Sequence, residues 1–331
     1  MAGSTFKTNP IDLIELLEDC HRGKLQLLDF QRSWVWDEDR IKSLIASISR
    51  SFPVGALMAL DTGGEVNFKP RPVEGAPAEA KNATPQSLLL DGQQRMTSLY
   101  QVTLRNKVVE TVTPKNKKVR RWFYIDIRKA LDPTIDREEA IVGVPEDRII
   151  RTDFGREVIL DLSMPANEYA ALMYPLTQVF DWDRWQDGFD QHWRGDEHEG
   201  MRETFRAFKR QVLENFKSYR VPVISLDRAT TKEAVCVVFE KVNTGGKALD
   251  AFELVTAMYA AEGHELRKDW YGDDEHKGRR RRFVDTMRPA DSEAGIIANV
   301  SNTDFLQAIS LFYTRERRRE AERAGKAGKE L

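Results

Sequence analysis

Residues 88–95 read LLLDGQQR, and this stretch decides how the chain folds around it. The three leucines predict a buried strand, and residues 96–104 after the motif have the composition of a helix. Gly92, at the junction, allows the backbone to approach a ligand closely, and the free N–H groups at a helix start favour anions. The stretch therefore predicts a strand–turn–helix unit able to bind phosphate. It is equally compatible with an ordinary unit in which Asp91 is the helix N-cap, so both interpretations stay open.

The polar residues of this unit carry the groups that a phosphate site needs. Asp91 is a candidate metal ligand, and Arg95 is a candidate phosphate clamp. Gln93 and Gln94 carry amides that could position phosphate oxygens or water. The unit is not a Walker A loop, because the glycine spacing and the Lys-Ser/Thr pair of that loop are absent.

The composition is typical of a soluble globular protein. Of the 331 residues, 41% are hydrophobic and 31% are charged, which suits one large domain or two modest ones. The formal net charge of −2 gives no global electrostatic case for nucleic acid, so such binding must rest on local patches. Two distant cysteines, Cys20 and Cys236, indicate a reducing compartment, and no signal peptide or long apolar run is present. We therefore expect a cytoplasmic protein without a membrane span.

Hydrophobic periodicity predicts further elements on both sides of the central stretch. Helices are predicted at 11–20, 37–50, 92–104 and 202–219, and strands at 25–30, 56–60, 88–90, 122–127 and 221–226. Residues 62–86 lack a firm period and predict a long loop or a ragged hairpin. The expected fold class is mixed α/β with large helical insertions.

Four regions are expected along the chain. Residues 1–130 form the first part of the α/β core, 131–220 a mainly helical insertion, and 221–262 the completion of the core. Residues 263–331 are strongly charged, which predicts a helical extension leading toward a further C-terminal domain.

A second polar motif, FQRSWVW at residues 30–36, lies between a predicted strand and a predicted helix. The Arg32 guanidinium and the Gln31 amide could bind a phosphate backbone. The rings of Phe30 and Trp34 could stack on a base. In the alternative interpretation the aromatic residues belong to the core and Arg32 pairs with an acid, and the residues taken alone favour this packing role.

A third motif, EKVNTGGK at residues 240–247, ends a predicted helix. Its Gly-Gly turn carries Asn243 and Lys247, which could close over a ligand, although local sequence prefers an ordinary helix end and turn. The five histidines follow no metal-binding spacing and form no His-Asn-His nuclease pattern. The arginine run at 279–282 is dense enough to touch nucleic acid, but such runs are usually solvated helix faces.

In their order and spacing, the three motifs resemble the N-terminal domain of GmrSD-type modification-dependent restriction enzymes. Phosphorothioate-sensing SspE-type defence proteins share this domain. The resemblance covers roughly residues 10–260, and the DGQQR motif at 91–95 is its most specific part. It implies a ParB/sulfiredoxin-like α/β core and a role in bacterial defence against phage or foreign DNA.

The resemblance also implies roles for individual residues. The expected catalytic residues of nucleoside triphosphate hydrolysis are Asp91, Gln93, Gln94 and Arg95, with Mg²⁺ held by Asp91. The expected nucleotide-binding residues, for GTP or another triphosphate, are Gly92, Arg95, Asn243 and Lys247. The expected DNA-sensing residues are Phe30, Gln31, Arg32 and Trp34.

The function expected from this resemblance is a GTPase-like module that controls DNA cleavage in a restriction system. Relatives usually continue into a His-Asn-His nuclease domain, which this sequence does not supply. The chain is therefore expected to be the N-terminal part of a longer protein, a nuclease-free relative or one subunit beside a nuclease, and it could form a homo-oligomer. The alternative is a non-catalytic sensor of modified DNA, for example of a phosphorothioate backbone. A third option is a protein-interaction scaffold, and nucleotide turnover separates the first from the others.

Overall fold

The computed structural model describes residues 6–323, except positions 30, 32, 65, 67, 195–197, 232–233, 236, 239–251, 253–254, 257–258, 260–263, 274–275 and 287–299. The chain divides into two compact units. The first contains Met1–Glu65 and Pro70–Thr230, and the second contains Val66–Lys69 and Thr231–Leu331.

The described part of the first unit contains a mixed six-stranded sheet, a four-stranded sheet and a two-stranded sheet. The strands of the first unit are β1 (Phe6–Asp12), β2 (Leu25–Leu28), β3 (Leu57–Asp61), β4 (Pro70–Arg71), β5 (Ser87–Asp91), β6 (Val109–Val112), β7 (Lys118–Asp126), β8 (Ile141–Pro145), β9 (Ile149–Thr152), β10 (Glu157–Asp161), β11 (Met173–Pro175) and β12 (Arg220–Leu226). The six-stranded sheet has the order β1-β12-β3-β5-β2-β4. The pairs β12–β3 and β5–β2 are parallel, and the other pairs are antiparallel. The predicted α/β class is confirmed.

Helices flank these strands along the chain. They are α1 (Leu13–Arg22), α2 (Glu38–Ser49), α3 (Gln93–Leu99), α4 (Ile127–Leu131), α5 (Arg137–Ala140), α6 (Pro165–Ala171), α7 (Asp183–His192), α8 (His198–Phe208) and α9 (Glu214–Lys217). A π-helical turn, Tyr100–Leu104, follows α3, and another, Lys209–Leu213, joins α8 to α9. The helices predicted at 92–104 and 202–219 therefore exist, but each contains a π turn, and the second begins at His198.

Local sequence explains the start and the buried face of α2. The carboxylate of Asp37 caps the helix, accepting a hydrogen bond of 2.9 Å from the backbone N–H of Arg40. Ile41, Ile45 and Ile48 are fully buried in the main core, and their spacing of three and four residues places them on one helix face. Burial of this face, rather than intrinsic propensity, is what chiefly stabilises a helix of this length.

Where residues 62–86 are described, they contain one short edge strand and a 3₁₀ turn, Ala78–Asn82. Strand β4 pairs with β2, which lies far from it in sequence. The expectation of a ragged hairpin is therefore wrong, and the expectation of a long loop describes most of the segment. Such a short edge strand has little local signal, because its pairing partner alone defines it.

The second sheet is built on β7. Residues 118–121 of β7 pair with β6, residues 121–125 pair with β8, and residues 124–126 pair with β11. The β6–β7 hairpin has exposed Lys115 and Lys117 in its turn. Strands β9 and β10 form a separate hairpin.

Residues 131–220 combine helices α5–α9 with strands β8–β11 around an aromatic cluster. In this cluster the rings of Trp185 and Phe189 stack at a centroid distance of 5.1 Å, and Tyr174 meets Trp185 edge to face at 4.9 Å. Strand β12 follows and lies between β1 and β3 in the main sheet. The predicted region boundaries themselves stay predictions.

The second unit is largely helical where it is described. Its helices include α10 (Leu266–Tyr271), α11 (Arg279–Thr286) and α12 (Asn302–Arg323). The buried ring of Trp270 lies 4.7 Å from that of Phe305. The arginine run at 279–282 lies exposed on α11, as expected for a solvated helix face. Among the residues described in either unit, no helix is both long and apolar enough to cross a membrane.

Candidate functional site

The DGQQR motif forms the junction between β5 and α3. The pairing of β5 with β3 shifts register between Met58 and Ala59, opposite Asp91 and Leu89, which places a β-bulge just before the motif. Gly92 has a φ of +95°, a left-handed conformation that glycine adopts without strain. A Cβ at Gly92 would also collide with the buried side chain of Leu57. The glycine is therefore required by backbone conformation and by close packing.

Arg95 points into the protein rather than into open solvent. Its Nη1 donates to the carbonyl oxygen of Val54 at 2.6 Å, and its Nη2 donates to that of Ala56 at 2.9 Å. Nη2 also donates to Oδ2 of Asp91 at 3.0 Å, which forms an ion pair. The guanidinium thus ties the chain entering β3 to the end of β5.

Asp91 is the more accessible member of this pair. Its side chain is 35% exposed, against 19% for that of Arg95. The structure assigns the helix N-cap to Gly92 and gives Asp91 no capping hydrogen bond. The interpretation of Asp91 as an N-cap is therefore wrong, because its carboxylate pairs with Arg95 instead.

Gln94 connects this junction to the second motif. Its Oε1 accepts a hydrogen bond of 2.9 Å from the backbone N–H of Val35, and its Nε2 donates to the carbonyl oxygen of Ser33 at 3.3 Å. The side chain is buried, as is that of Gln93 beside it. Gln94 therefore fixes the backbone of residues 33–35 against the start of α3.

Gln31 makes a second connection between the two motifs. Its Nε2 donates to the carbonyl oxygens of Leu89 and Leu90, both at 3.0 Å. Its Oε1 accepts from the backbone N–H of Leu28 at 3.1 Å. Because Gln31 is buried and its amide nitrogen and oxygen both bond to backbone at the ends of β2 and β5, its position is that of a structural link.

Trp34 lies partly in the core and partly at the surface, so its position is compatible with both the packing and the base-stacking interpretations. One part of its ring packs against the main core, while the residue remains half-buried. Its Nε1 donates to Oγ of Ser98 at 2.9 Å, and its backbone N–H donates to Oε1 of Glu74 at 3.1 Å. Glu74 in turn pairs with Arg71 at 2.9 Å. Sequence reasoning missed Ser98, Glu74 and Arg71, because nothing local marks them as partners of residue 34.

The sequence of the chain is similar to that of a known protein family. Residues 13–260 match the family described as the GmrSD restriction endonuclease N-terminal domain. The chain belongs to this family. The resemblance carried by the motifs is thereby confirmed. An uncharacterized protein of Methanocaldococcus jannaschii is 26% identical over 267 residues, which cover 78% of this chain and 43% of that relative. The chain thus spans less than half the length of this curated relative.

Four of the expected site residues of this GmrSD N-terminal domain fall outside the described residues: Phe30, Arg32, Asn243 and Lys247. Their expected roles stay predictions. Within the described ranges, no group of three or more His, Cys, Asp or Glu side chains could hold a metal ion by itself. A metal at Asp91 would therefore need most of its ligands from a nucleotide and from water.

A buried carboxyl group, Glu168, was not anticipated from the sequence. It accepts hydrogen bonds from the hydroxyl of Tyr124 at 3.0 Å and from Nε1 of Trp185 at 3.3 Å, and Nη1 of Arg148 lies 3.5 Å away. Burial raises the pKa of Glu168, while these three partners act in the opposite direction. Arg148 also lies 4.4 Å from the centre of the Trp122 ring. This cluster joins β7, α6 and α7 and is separate from the DGQQR junction in the chain.

Proposed function

We propose that this GmrSD N-terminal domain binds and hydrolyses a nucleoside triphosphate with Mg²⁺ and couples that event to the recognition of DNA. The observation that carries the proposal is the pair of hydrogen bonds between the Gln94 amide and the backbone, one donated to the carbonyl of Ser33 and one accepted from the N–H of Val35. Through them, the expected nucleotide motif holds the expected DNA-sensing segment directly. A change at one motif has a short physical route to the other.

Asp91 is the residue that would hold Mg²⁺. Protein sites for this ion commonly supply only one or two carboxylates, with phosphates and water completing the octahedron. The partly exposed carboxylate of Asp91 fits that requirement, since Arg95 engages it through Oδ2. When bound, the ion would neutralise phosphate charge. The missing side chain of Gly92 faces Leu57 and Arg95, so the glycine serves the packing of the junction, and the carboxylate of Asp91 is the group offered to the ion.

Arg95 acts in this proposal as a positioning residue. Its bonds to Val54 and Ala56 hold the guanidinium in place, and its bond to Asp91 orients the carboxylate. The positive charge still lies beside the proposed phosphate position and adds favourable potential there. This role differs from the direct phosphate clamp expected from the sequence, because the described backbone already occupies both terminal nitrogens.

The coupling would act on a DNA restriction system. In the intact protein we propose that nucleotide turnover controls cleavage by a nuclease domain or partner subunit outside this chain. The DNA would carry a backbone or base modification that residues 30–36 help to sense. The matched region is 43% of the Methanocaldococcus jannaschii relative, so that relative is long enough to contain additional domains.

The test is hydrolysis of GTP and ATP by the purified chain with Mg²⁺, with and without phosphorothioate-modified DNA. Asp91→Asn retains an oxygen for Arg95 but loses the charge that Mg²⁺ needs, so we expect at least a tenfold loss of turnover, about 1.4 kcal/mol. Asp187→Asn, an exposed residue on α7, is the matched control and should leave turnover unchanged. Equal rates for the two variants would refute the Asp91 site.

A second candidate function is a sensor of modified DNA without catalysis. The engagement of Arg95 and Gln94 by protein backbone favours it, because those side chains have few groups left for a nucleotide. DNA binding without any triphosphate turnover would select this alternative.

A further inference from the structure

A cleft of about 500 Å³ lies beside the predicted DNA-sensing segment. One wall consists of residues 34–36, and the other is the β6–β7 hairpin. The hairpin residues that line the cleft are Glu110, Thr111, Val112, Lys118, Val119 and Arg120. Ligand cavities in proteins commonly measure about 300–1,000 Å³, so this cleft has room for a nucleotide-sized group.

The two walls of the cleft are joined by direct contacts. The hydroxyl of Thr111 donates a hydrogen bond of 2.7 Å to the carbonyl oxygen of Trp36. The next residues, Asp37 and Val112, form a single parallel β-bridge. The cleft is therefore preformed, which limits the ordering cost of binding a ligand.

The wall formed by residues 34–36 is apolar and aromatic. Trp34 and Trp36 are half-buried and pack partly against the main core. Val35 between them is 51% exposed and lines the cleft, so it adds apolar surface to this wall. Aromatic side chains such as Trp34 and Trp36 can stack on nucleobases irrespective of the DNA sequence, because every base has a π face.

The hairpin wall is basic. Lys118 and Arg120 line the cleft, and Lys115 and Lys117 lie in the adjoining turn, all four exposed. Glu110 is the acid that lines the cleft, and it lies 3.6 Å from Arg120. Arg120 also pairs with Glu146 at 2.6 Å, so the excess positive charge is carried by Lys118 and the two turn lysines. This local excess of positive charge contrasts with the net charge of −2 for the chain. Closely spaced cations beside aromatic rings are complementary to a base with its flanking phosphates.

We propose that this cleft binds one unstacked nucleotide of single-stranded DNA. The base lies against residues 34–36, and the flanking phosphates contact Lys118 and the hairpin turn. The proposal rests on the DNA-sensing part of the proposed function and adds the β6–β7 hairpin as a second contact surface. It also states what is recognised: a base that has left the stack, as occurs in single-stranded or distorted DNA.

The first test uses the full chain and a fluorescein-labelled single strand of about 20 nucleotides, followed by fluorescence anisotropy. Val35→Asp places a negative charge in the cleft, and we expect it to weaken binding at least about tenfold. Val158→Asp is the matched control, because Val158 is 55% exposed on β10 and does not line the cleft. It should bind like wild type.

The second test removes a positive charge from the cleft in one variant and a negative charge in another. Lys118→Ala should lower the slope of log affinity against log salt by about 0.7, the value for one phosphate contact on a single strand. Lys81→Ala, an exposed lysine elsewhere, is its control. Glu110→Gln removes the acid of the cleft and should strengthen binding by up to about fivefold. Misfolding cannot produce such a gain.

Several outcomes would overturn the proposal. The first two are no binding of the single strand at low salt and equal affinity for duplex DNA of the same sequence. The third is wild-type affinity in all three cleft variants. The fourth is displacement of the labelled strand by GTP or an acidic peptide as effectively as by the unlabelled strand. Triphosphate hydrolysis is measured in a separate assay. If the wild-type chain does not hydrolyse triphosphate, or if its hydrolysis does not respond to DNA, the proposed function is refuted but the pattern of single-strand binding is unaffected. Failure of the proposed function and failure of the cleft proposal are therefore distinguishable.

Discussion

At the scale of single residues, the motif side chains use their hydrogen bonds inside the protein. Gln31, Gln94 and Arg95 each bond to backbone groups from a distant part of the chain. Such a residue can be indispensable because it positions the backbone, without touching a ligand. Substitutions here therefore require separate measurement of stability and of binding.

Gln31 illustrates this distinction. Gln31→Leu preserves the approximate size of the side chain but leaves the N–H of Leu28 and the carbonyls of Leu89 and Leu90 without their amide partner. We expect the free energy of unfolding to fall by about 2–4 kcal/mol, measured by urea denaturation. The exposed Gln86→Leu should change it by less than about 0.5 kcal/mol. Unchanged stability with lost DNA binding would instead make Gln31 a direct sensing residue.

Glu168 predicts a pH dependence of stability. Its pKa in the folded state is raised, chiefly by burial, so the folded state binds the proton more tightly than the unfolded state. The resulting stabilisation is fully present below the unfolded pKa of about 4.3 and is lost as pH rises through the folded value. Glu168→Gln cannot titrate. The stability of wild type relative to this variant should therefore decline as pH is raised above the unfolded pKa and through the folded one.

Urea denaturation of both proteins across this pH range measures that decline, and the comparison cancels the other titrating groups. Glu139→Gln, an exposed control, should keep a constant difference from wild type. A constant difference for Glu168→Gln as well would mean that the partners of Glu168 offset the effect of burial.

At the scale of elements, the β5–α3 junction depends on a single glycine. Gly92→Ala encounters both the left-handed backbone and the Leu57 side chain. Gly63 has a similar φ of +90° but no atom within 4 Å of an added Cβ, so Gly63→Ala isolates the backbone cost. We expect about 1–2 kcal/mol of destabilisation for Gly63→Ala and clearly more for Gly92→Ala, measured by urea denaturation. Equal costs would indicate that Leu57 moves aside freely.

At the scale of the whole molecule, we expect the purified chain not to cut DNA, even with Mg²⁺ and nucleotide present. Nuclease chemistry of the His-Asn-His type needs a histidine base and a metal site held together, and the described residues contain no such group. Incubation with supercoiled plasmid, modified and unmodified, checks this by gel electrophoresis. Nicking that disappears in Asp91→Asn would place a DNA-cleaving centre within this domain and contradict the proposed division of labour.

Much of the local structure could be predicted from the sequence, because it depends on nearby residues. The period of Ile41, Ile45 and Ile48 predicts α2, and its cap follows from Asp37. The apolar run before Asp91 predicts β5, and Gly92 predicts the turn after it. The order and spacing of the three motifs were sufficient to indicate the family. Side-chain type and spacing determine these features without reference to the rest of the fold.

Tertiary structure alone decided which groups the site residues contact. The β5 partners of Gln31 and the partners of Gln94 lie 58–61 residues away in sequence, and the carbonyl partners of Arg95 just before β3 lie 39–41 residues away. The exposed edge strand β1 likewise forms through its pairing with β12 at the other end of the first unit. Periodicity reports which face of an element is buried, but not which distant backbone group completes a hydrogen bond. The sequence thus determined the elements around the motifs and indicated the family, whereas long-range pairing made the polar motifs into structural links and created the cleft beside them.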